Sequence, residues 1–87
     1  MKLKHTQATK YIVAAAQRCM DSGVTVDCDS AYSTVAIDAP GEETIFMQGD
    51  EADTFIAERD ALTSKYRSLP DYVAELALAE PYTDLWA

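Results

Sequence analysis

The chain has 87 residues, of which 15 are acidic and 7 are basic, and its formal net charge is −8. A chain of this length buries little more than ~60% of its unfolded surface, so we expect a single domain over residues 1–87. Apolar residues make up 48% of the chain, which is typical of a folded protein and not of a disordered one. The negative charge disfavours direct binding to nucleic acid or to anionic lipid, and it favours a basic protein partner.

No apolar run approaches the ~18 residues that a membrane span needs, and residues 1–10 lack the apolar segment of a signal peptide. We therefore expect a cytoplasmic protein without a membrane partner. Cys19 and Cys28 have no CxxC spacing, and the only histidine is distant from them. This pattern predicts two small buried thiols, with no disulfide, no metal site and no cofactor.

The first predicted helix runs from Thr6, a plausible N-cap, to about Ser22, and Gly23 supplies its stop. Its apolar residues recur at spacings of three and four, and small side chains in the middle favour close packing against a sheet. Those residues are Ala8, Tyr11, Ile12, Ala15, Ala16 and Cys19.

Three strands are predicted next, because the apolar period changes to two over residues 24–28 and 32–39. The residues expected to face inward are Val24, Val26 and Cys28 in the first strand and Val35 and Ile37 in the second. In the third strand, residues 43–48, either Ile45 with Met47 or Thr44 with Phe46 could face the core. Short turns between these strands favour an antiparallel meander.

A long second helix is predicted to begin with Asp50 as its N-cap, assisted by Asp53, and to end near Arg67. Its core face contains Ala52, Phe55, Ile56, Leu62 and Tyr66.

A short third helix is predicted after a cap at Ser68, with Pro70 in its first turn and Pro81 at its end. The last residues include Tyr82, Leu85 and Trp86, which we expect to dock on the core. The predicted fold is therefore a two-layer α+β domain: an N-terminal helix, a three-stranded antiparallel sheet, a long helix and a short C-terminal helix, with the helices on one face of the sheet.

Catalytic and metal-binding motifs receive little support. Residues 50–53 spell DEAD, as in a helicase motif, but the chain has no P-loop. A calcium loop starting at Asp27 would place Tyr32 where such loops need glycine. His5 has no nucleophile near it in the sequence, so we expect the chain not to be an enzyme.

The strongest functional signal is a run of ten carboxylates between Asp21 and Glu58 without a single Lys or Arg. Two of them, Asp27 and Asp29, would lie about 6.7 Å apart on one face of a strand, which is similar to the spacing of successive phosphates on a nucleic-acid strand. The sequence thus predicts an acidic surface that could occupy a Lys/Arg-lined groove. The candidate partner-binding residues are Asp27, Asp29, Asp38, Glu42, Glu43, Asp50, Glu51 and Asp53.

Residues 49–56 (GDEADTFI) and the ending at residues 80–86 (EPYTDLW) resemble those of small acidic accessory proteins encoded by tailed bacteriophages. The order of elements over residues 10–65 is also similar to that of a type I-F anti-CRISPR protein that imitates DNA. The resemblance implies a non-enzymatic inhibitor that binds a nucleic-acid-handling protein or complex in the host cytoplasm. It assigns no role to an individual residue, and the basic N-terminal helix departs from a uniformly acidic mimic.

An alternative hypothesis gives the acidic residues a role in solubility alone. In that case the chain would be a small structural or interaction protein that forms a homodimer through apolar residues. The candidate contact residues are Tyr72, Leu76, Leu85 and Trp86.

Overall fold

A computed structural model of the chain describes residues 5–86, with side chains from Gln7 onward. Its elements in chain order are α1 (His5–Asp21), β1 (Thr25–Asp29), β2 (Thr34–Asp38), β3 (Ile45–Gln48), α2 (Asp50–Lys65), α3 (Asp71–Ala79) and a 3₁₀ helix (Glu80–Trp86). The predicted α+β class and the order of helix, sheet, long helix and short helix are confirmed.

The sheet is an antiparallel meander with β2 in the middle. Val35 and Ile37 of β2 are fully buried, and the register places Cys28 and Met47 on either side of Val35. The sequence left open which residues of the third strand face the core. Met47 is 2% exposed whereas Phe46 is 57% exposed, so Met47 is the one that faces inward. Ile45 and Met47 face the core, because only that register continues the apolar rows of β1 and β2.

Helices α2 and α3 contact the sheet, whereas α1 packs mainly on α3. The prediction that α1 packs against the sheet was therefore wrong. Ala16 and Cys19 are buried, and the Cys19 thiol donates a hydrogen bond to the Leu76 carbonyl oxygen at 3.3 Å. The small side chains do allow close approach, but the partner is another helix. Tyr11, which was assigned to the buried stripe, is 65% exposed.

The starts of the first two helices differ from the predictions. Helix α1 already includes His5, so Thr6 is not its N-cap. Gly49 is the N-cap of α2 and makes no side-chain capping bond, and its φ of 65° suits a residue without Cβ. Asp50 and Asp53 are inside the first turn of the helix, where their negative charges interact favourably with the positive end of the helix dipole.

The start of α3 also differs, because Pro70 and not Ser68 is its N-cap. The Pro70 carbonyl oxygen accepts hydrogen bonds from the amides of Val73 and Ala74 at 3.1 and 3.3 Å. Proline suits this position because its φ is restricted and its missing N–H is not needed there. At the other end the α-helix stops before Pro81 as predicted, and the chain continues as the 3₁₀ helix.

Two of the three large C-terminal side chains dock on the fold as predicted. The Tyr82 ring lies edge-on to Phe55, with 6.2 Å between ring centroids. The Trp86 indole N–H donates to the Glu43 carbonyl oxygen at 2.7 Å, which ties the C-terminal segment to the β2–β3 turn. Leu85 was expected to dock as well, but it is 72% exposed.

Among the helices within residues 5–86, none combines the length and the apolar character that crossing a membrane requires.

The two faces of the sheet predict different costs of truncation. Ile37→Ala should lower the free energy of unfolding by about 2 to 5 kcal/mol, because it opens a cavity in the middle of the core. Phe46→Ala, on the open face of the neighbouring strand, should cost less than about 1 kcal/mol. Urea denaturation followed by circular dichroism measures both values, and equal costs would contradict the assignment of the two faces.

Candidate acidic interaction surface

Three of the eight candidate carboxylates lie on the face of the sheet that is turned away from the core. Asp27 and Asp29 alternate along β1 with the inward residues Val26 and Cys28. Asp38 ends β2, where it pairs with Thr25. These three acids share one face because the side chains of a strand alternate with a period of two.

The other five candidates lie at the two ends of the sheet, which are roughly 14 Å apart for strands of this length. Glu42 and Glu43 belong to the β2–β3 turn at one end. Asp50, Glu51 and Asp53 form the first turn of α2 at the other end, directly after β3. The structure thus spreads the eight residues over one face and both ends of the sheet, and does not gather them into a single pocket.

We refer to these eight carboxylates as the acidic surface. Among the described side chains, those of residues 7–86, the ion pairs are those of Arg18 with Glu80 and of Arg59 with Asp60 and Glu75. None of them involves a member of the acidic surface. Six of its side chains are exposed, and Asp29 and Asp38 are half-buried. The field of these charges is therefore not compensated by neighbouring cations in the described part of the chain.

Two members of the acidic surface also hold turns together. One carboxylate oxygen of Asp29 accepts hydrogen bonds from the amides of Ala31 and Tyr32, at 3.0 and 3.2 Å. Asp38 accepts a hydrogen bond from the Thr44 hydroxyl, which ties the end of β2 to the turn that follows it. These bonds give Asp29 and Asp38 a structural role, so substitutions there would mix effects on folding and on binding.

Sequence reasoning did not place Phe46 at this site. In the register, Phe46 pairs with Ala36, which in turn pairs with Asp27, so the aromatic ring stands in the same outward row as a carboxylate. The sequence left open whether Met47 or Phe46 faces the core. The burial of Met47 in the structure decides this, since neighbours along a strand face opposite sides.

A second charged cluster lies between the two helices α2 and α3. Arg59 of α2 forms an ion pair with Glu75 of α3 at 3.0 Å. The side chains of both residues are largely buried. Burial raises the pKa of Cys28 to about 12, and the interaction of the thiol with Glu75 adds to that effect while the charge of Arg59 opposes it. The thiol is therefore protonated at neutral pH and is a poor nucleophile.

Cysteine placement agrees only partly with the prediction of two buried thiols. Cys19 is buried, and Cys28 is half-buried. Both are free thiols. Over residues 7–86, whose side chains the structure describes, no three His, Cys, Asp or Glu side chains are arranged to hold a metal ion.

The chain matches no protein-family model, no curated protein and no solved structure.

The raised pKa of Cys28 predicts a pH-dependent contribution to stability. The folded chain keeps this proton between pH 9.0 and about 12, whereas the unfolded chain releases it there. The contribution is therefore complete below pH 9 and falls as the pH rises towards 12. In urea denaturation at about pH 8 and about pH 10.5, the difference in free energy of unfolding between the wild type and Cys28→Ala should narrow at the higher pH. An unchanged difference would contradict the prediction.

Proposed function

We propose that this chain is a non-enzymatic inhibitor of the phage type, which binds a nucleic-acid-handling protein or complex through its acidic surface. The observation that carries the proposal is a set of eight carboxylates without an ion-pair partner among the side chains of residues 7–86. Such a one-signed field opposes folding through self-repulsion, and a basic partner groove would relieve that repulsion on binding.

The geometry supports mimicry of a nucleic-acid backbone. The acids on the open face follow β1 and the end of β2, and further acids extend the charge beyond both ends of the sheet. A groove lined with Lys and Arg binds phosphates by charge and spacing rather than by covalent chemistry. A rigid sheet that presents carboxylates at similar spacing would compete for the same groove, and its association would be fast at low salt.

The homodimer hypothesis receives less support from the same structure. Leu76, one of its four contact residues, is 6% exposed and belongs to the core. Trp86 is half-buried and its N–H is bonded to Glu43. Only Tyr72 and Leu85 of that set are well exposed, which leaves a small apolar area for an interface.

The direct test is a charge reversal that avoids residues with structural hydrogen bonds. The variant Asp27→Lys/Glu43→Lys/Asp53→Lys alters the open face and both ends of the sheet. Tagged protein is used to capture partners from bacterial lysate, bound protein is eluted with a salt gradient, and the eluate is identified by mass spectrometry. We expect the wild type to retain a nucleic-acid-binding protein that duplex DNA displaces, and the variant to bind it at least ~10-fold more weakly.

A matched control carries the same change in net charge elsewhere. Asp21→Lys/Glu58→Lys/Asp71→Lys also reverses three exposed acids, and its Asp71, like Asp53, lies in the first turn of a helix. This control should keep the partner. If both variants lose the partner equally, binding depends on net charge and not on the acidic surface, which contradicts the proposal. If both variants keep the partner, the proposal is also refuted.

The oligomeric state separates the proposal from its alternative. Sedimentation equilibrium at low and high salt should show a monomer, and Trp86→Ala should leave that mass unchanged. A dimer that is insensitive to salt and dissociates on Trp86→Ala would instead support the homodimer hypothesis.

A further inference from the structure

A cleft of about 530 Å³ lies between the end of α1, the β2–β3 turn and the 3₁₀ helix. Its apolar lining includes Val24, Pro40, Pro81 and Trp86. The β2–β3 turn lies close to the residues that follow α1, because a Cβ atom at Gly23 would be only 3.0 Å from the Pro40 ring. The size is within the range of sites that bind small molecules or short peptide segments.

The tryptophan in this cleft is held in place. Trp86 donates its indole N–H to the Glu43 carbonyl oxygen at 2.7 Å, so the ring is fixed against the β2–β3 turn. Thr83, one helical turn earlier, donates its hydroxyl to the Glu80 carbonyl oxygen at 2.6 Å and supports the same segment. An aromatic wall that is fixed before binding loses little entropy when a ligand stacks on it.

The cleft also carries an excess of negative charge. Arg18 is the only cation among the lining residues that the structure describes, and it forms two hydrogen bonds with Glu80, at 3.0 and 3.1 Å. Glu42 and Asp84 line the cleft as well, are exposed, and form no ion pair with any side chain of residues 7–86. Two carboxylates therefore remain available to a positively charged ligand.

We propose that this cleft binds an arginine side chain, with its adjoining backbone, from the basic partner protein. A guanidinium group is planar, stacks on indole, and donates two parallel hydrogen bonds to a carboxylate, so it matches Trp86, Glu42 and Asp84 together. A lysine ammonium offers a point charge without a plane, and it fits this combination less well. The inference rests on the proposed function, and it adds a side-chain selectivity that the dispersed acidic surface lacks.

Glu42 makes the cleft continuous with the acidic surface, since it belongs to both. The dispersed carboxylates would attract any basic groove over a distance, and the cleft would then select a particular arginine-bearing segment.

The sole tryptophan of the chain lines this cleft, so its fluorescence reports binding directly. The probes are the blocked dipeptide amides acetyl-Arg-Arg and acetyl-Lys-Lys, titrated into the full chain. We expect the arginine peptide to change Trp86 emission with saturation and to bind at least ~5-fold more tightly than the lysine peptide. Absence of a saturable change, or equal binding of both peptides, would overturn the proposal.

The variant Glu42→Gln/Asp84→Asn tests the carboxylates, and it should fold because both residues are exposed. Arginine-peptide affinity should fall by ~10-fold or more. The matched control Glu58→Gln/Asp71→Asn removes the same charge from exposed positions outside both the cleft and the acidic surface, and it should change affinity by less than ~2-fold. If both variants lose the same affinity for the arginine peptide, binding depends on net charge alone and the cleft assignment is overturned. Circular dichroism checks that both variants are folded.

Failure of this inference is distinguishable from failure of the proposed function. The charge reversal of Asp27, Glu43 and Asp53 leaves every cleft-lining side chain in place. If that variant loses the captured partner while the cleft variant keeps both partner and peptide, only the cleft assignment is wrong. If the cleft binds the arginine peptide while the charge-reversed surface keeps its partner, the mimic proposal is wrong.

Discussion

The alternation of side chains across one small sheet governs both the stability and the surface of this protein. Val35 and Ile37 can be fully buried only if their neighbours along β2 face away from the helices. The same alternation in β1 places Asp27 and Asp29 opposite the core, so burial of the apolar row determines where the carboxylates stand. A slip of one residue would bury carboxylates and expose valine, which fixes the register strongly.

Much of the fold could be predicted because it follows from local periodicity. The three strands and both long helices were identified from periods of two and 3.6, and their inward residues agree except at particular positions such as Tyr11. Periodicity shows that a helix has a buried face, but it does not show what covers that face. For this reason the docking of α1 on α3 was missed. The caps at Gly49 and Pro70 were missed because they use backbone conformation in place of a side-chain bond.

The acidic surface could be predicted from local periodicity, whereas the cleft could not. The outward position of Asp27, Asp29 and Asp38 follows from alternation along the strands, and the structure agrees. The cleft depends on residues from the end of α1, the β2–β3 turn and the C-terminal segment, which are distant in the sequence. No local pattern could have brought Arg18 and Trp86 together, because their proximity results from the packing of α1 and the 3₁₀ helix on the rest of the fold.

Some carboxylates of the acidic surface have a structural role in the fold, and others do not. Asp29 and Asp38 accept hydrogen bonds that hold turns, and the acids in the first turn of α2 favour the positive end of that helix. Asp27 has neither role. It stands in the middle of an edge strand, where aspartate is disfavoured and threonine or valine would suit the backbone better. Charge on an edge strand does discourage pairing with other chains, but a lysine there would do so without adding to an already negative surface. The carboxylate of Asp27 is therefore one for which folding gives no reason and for which the proposed basic partner would give one.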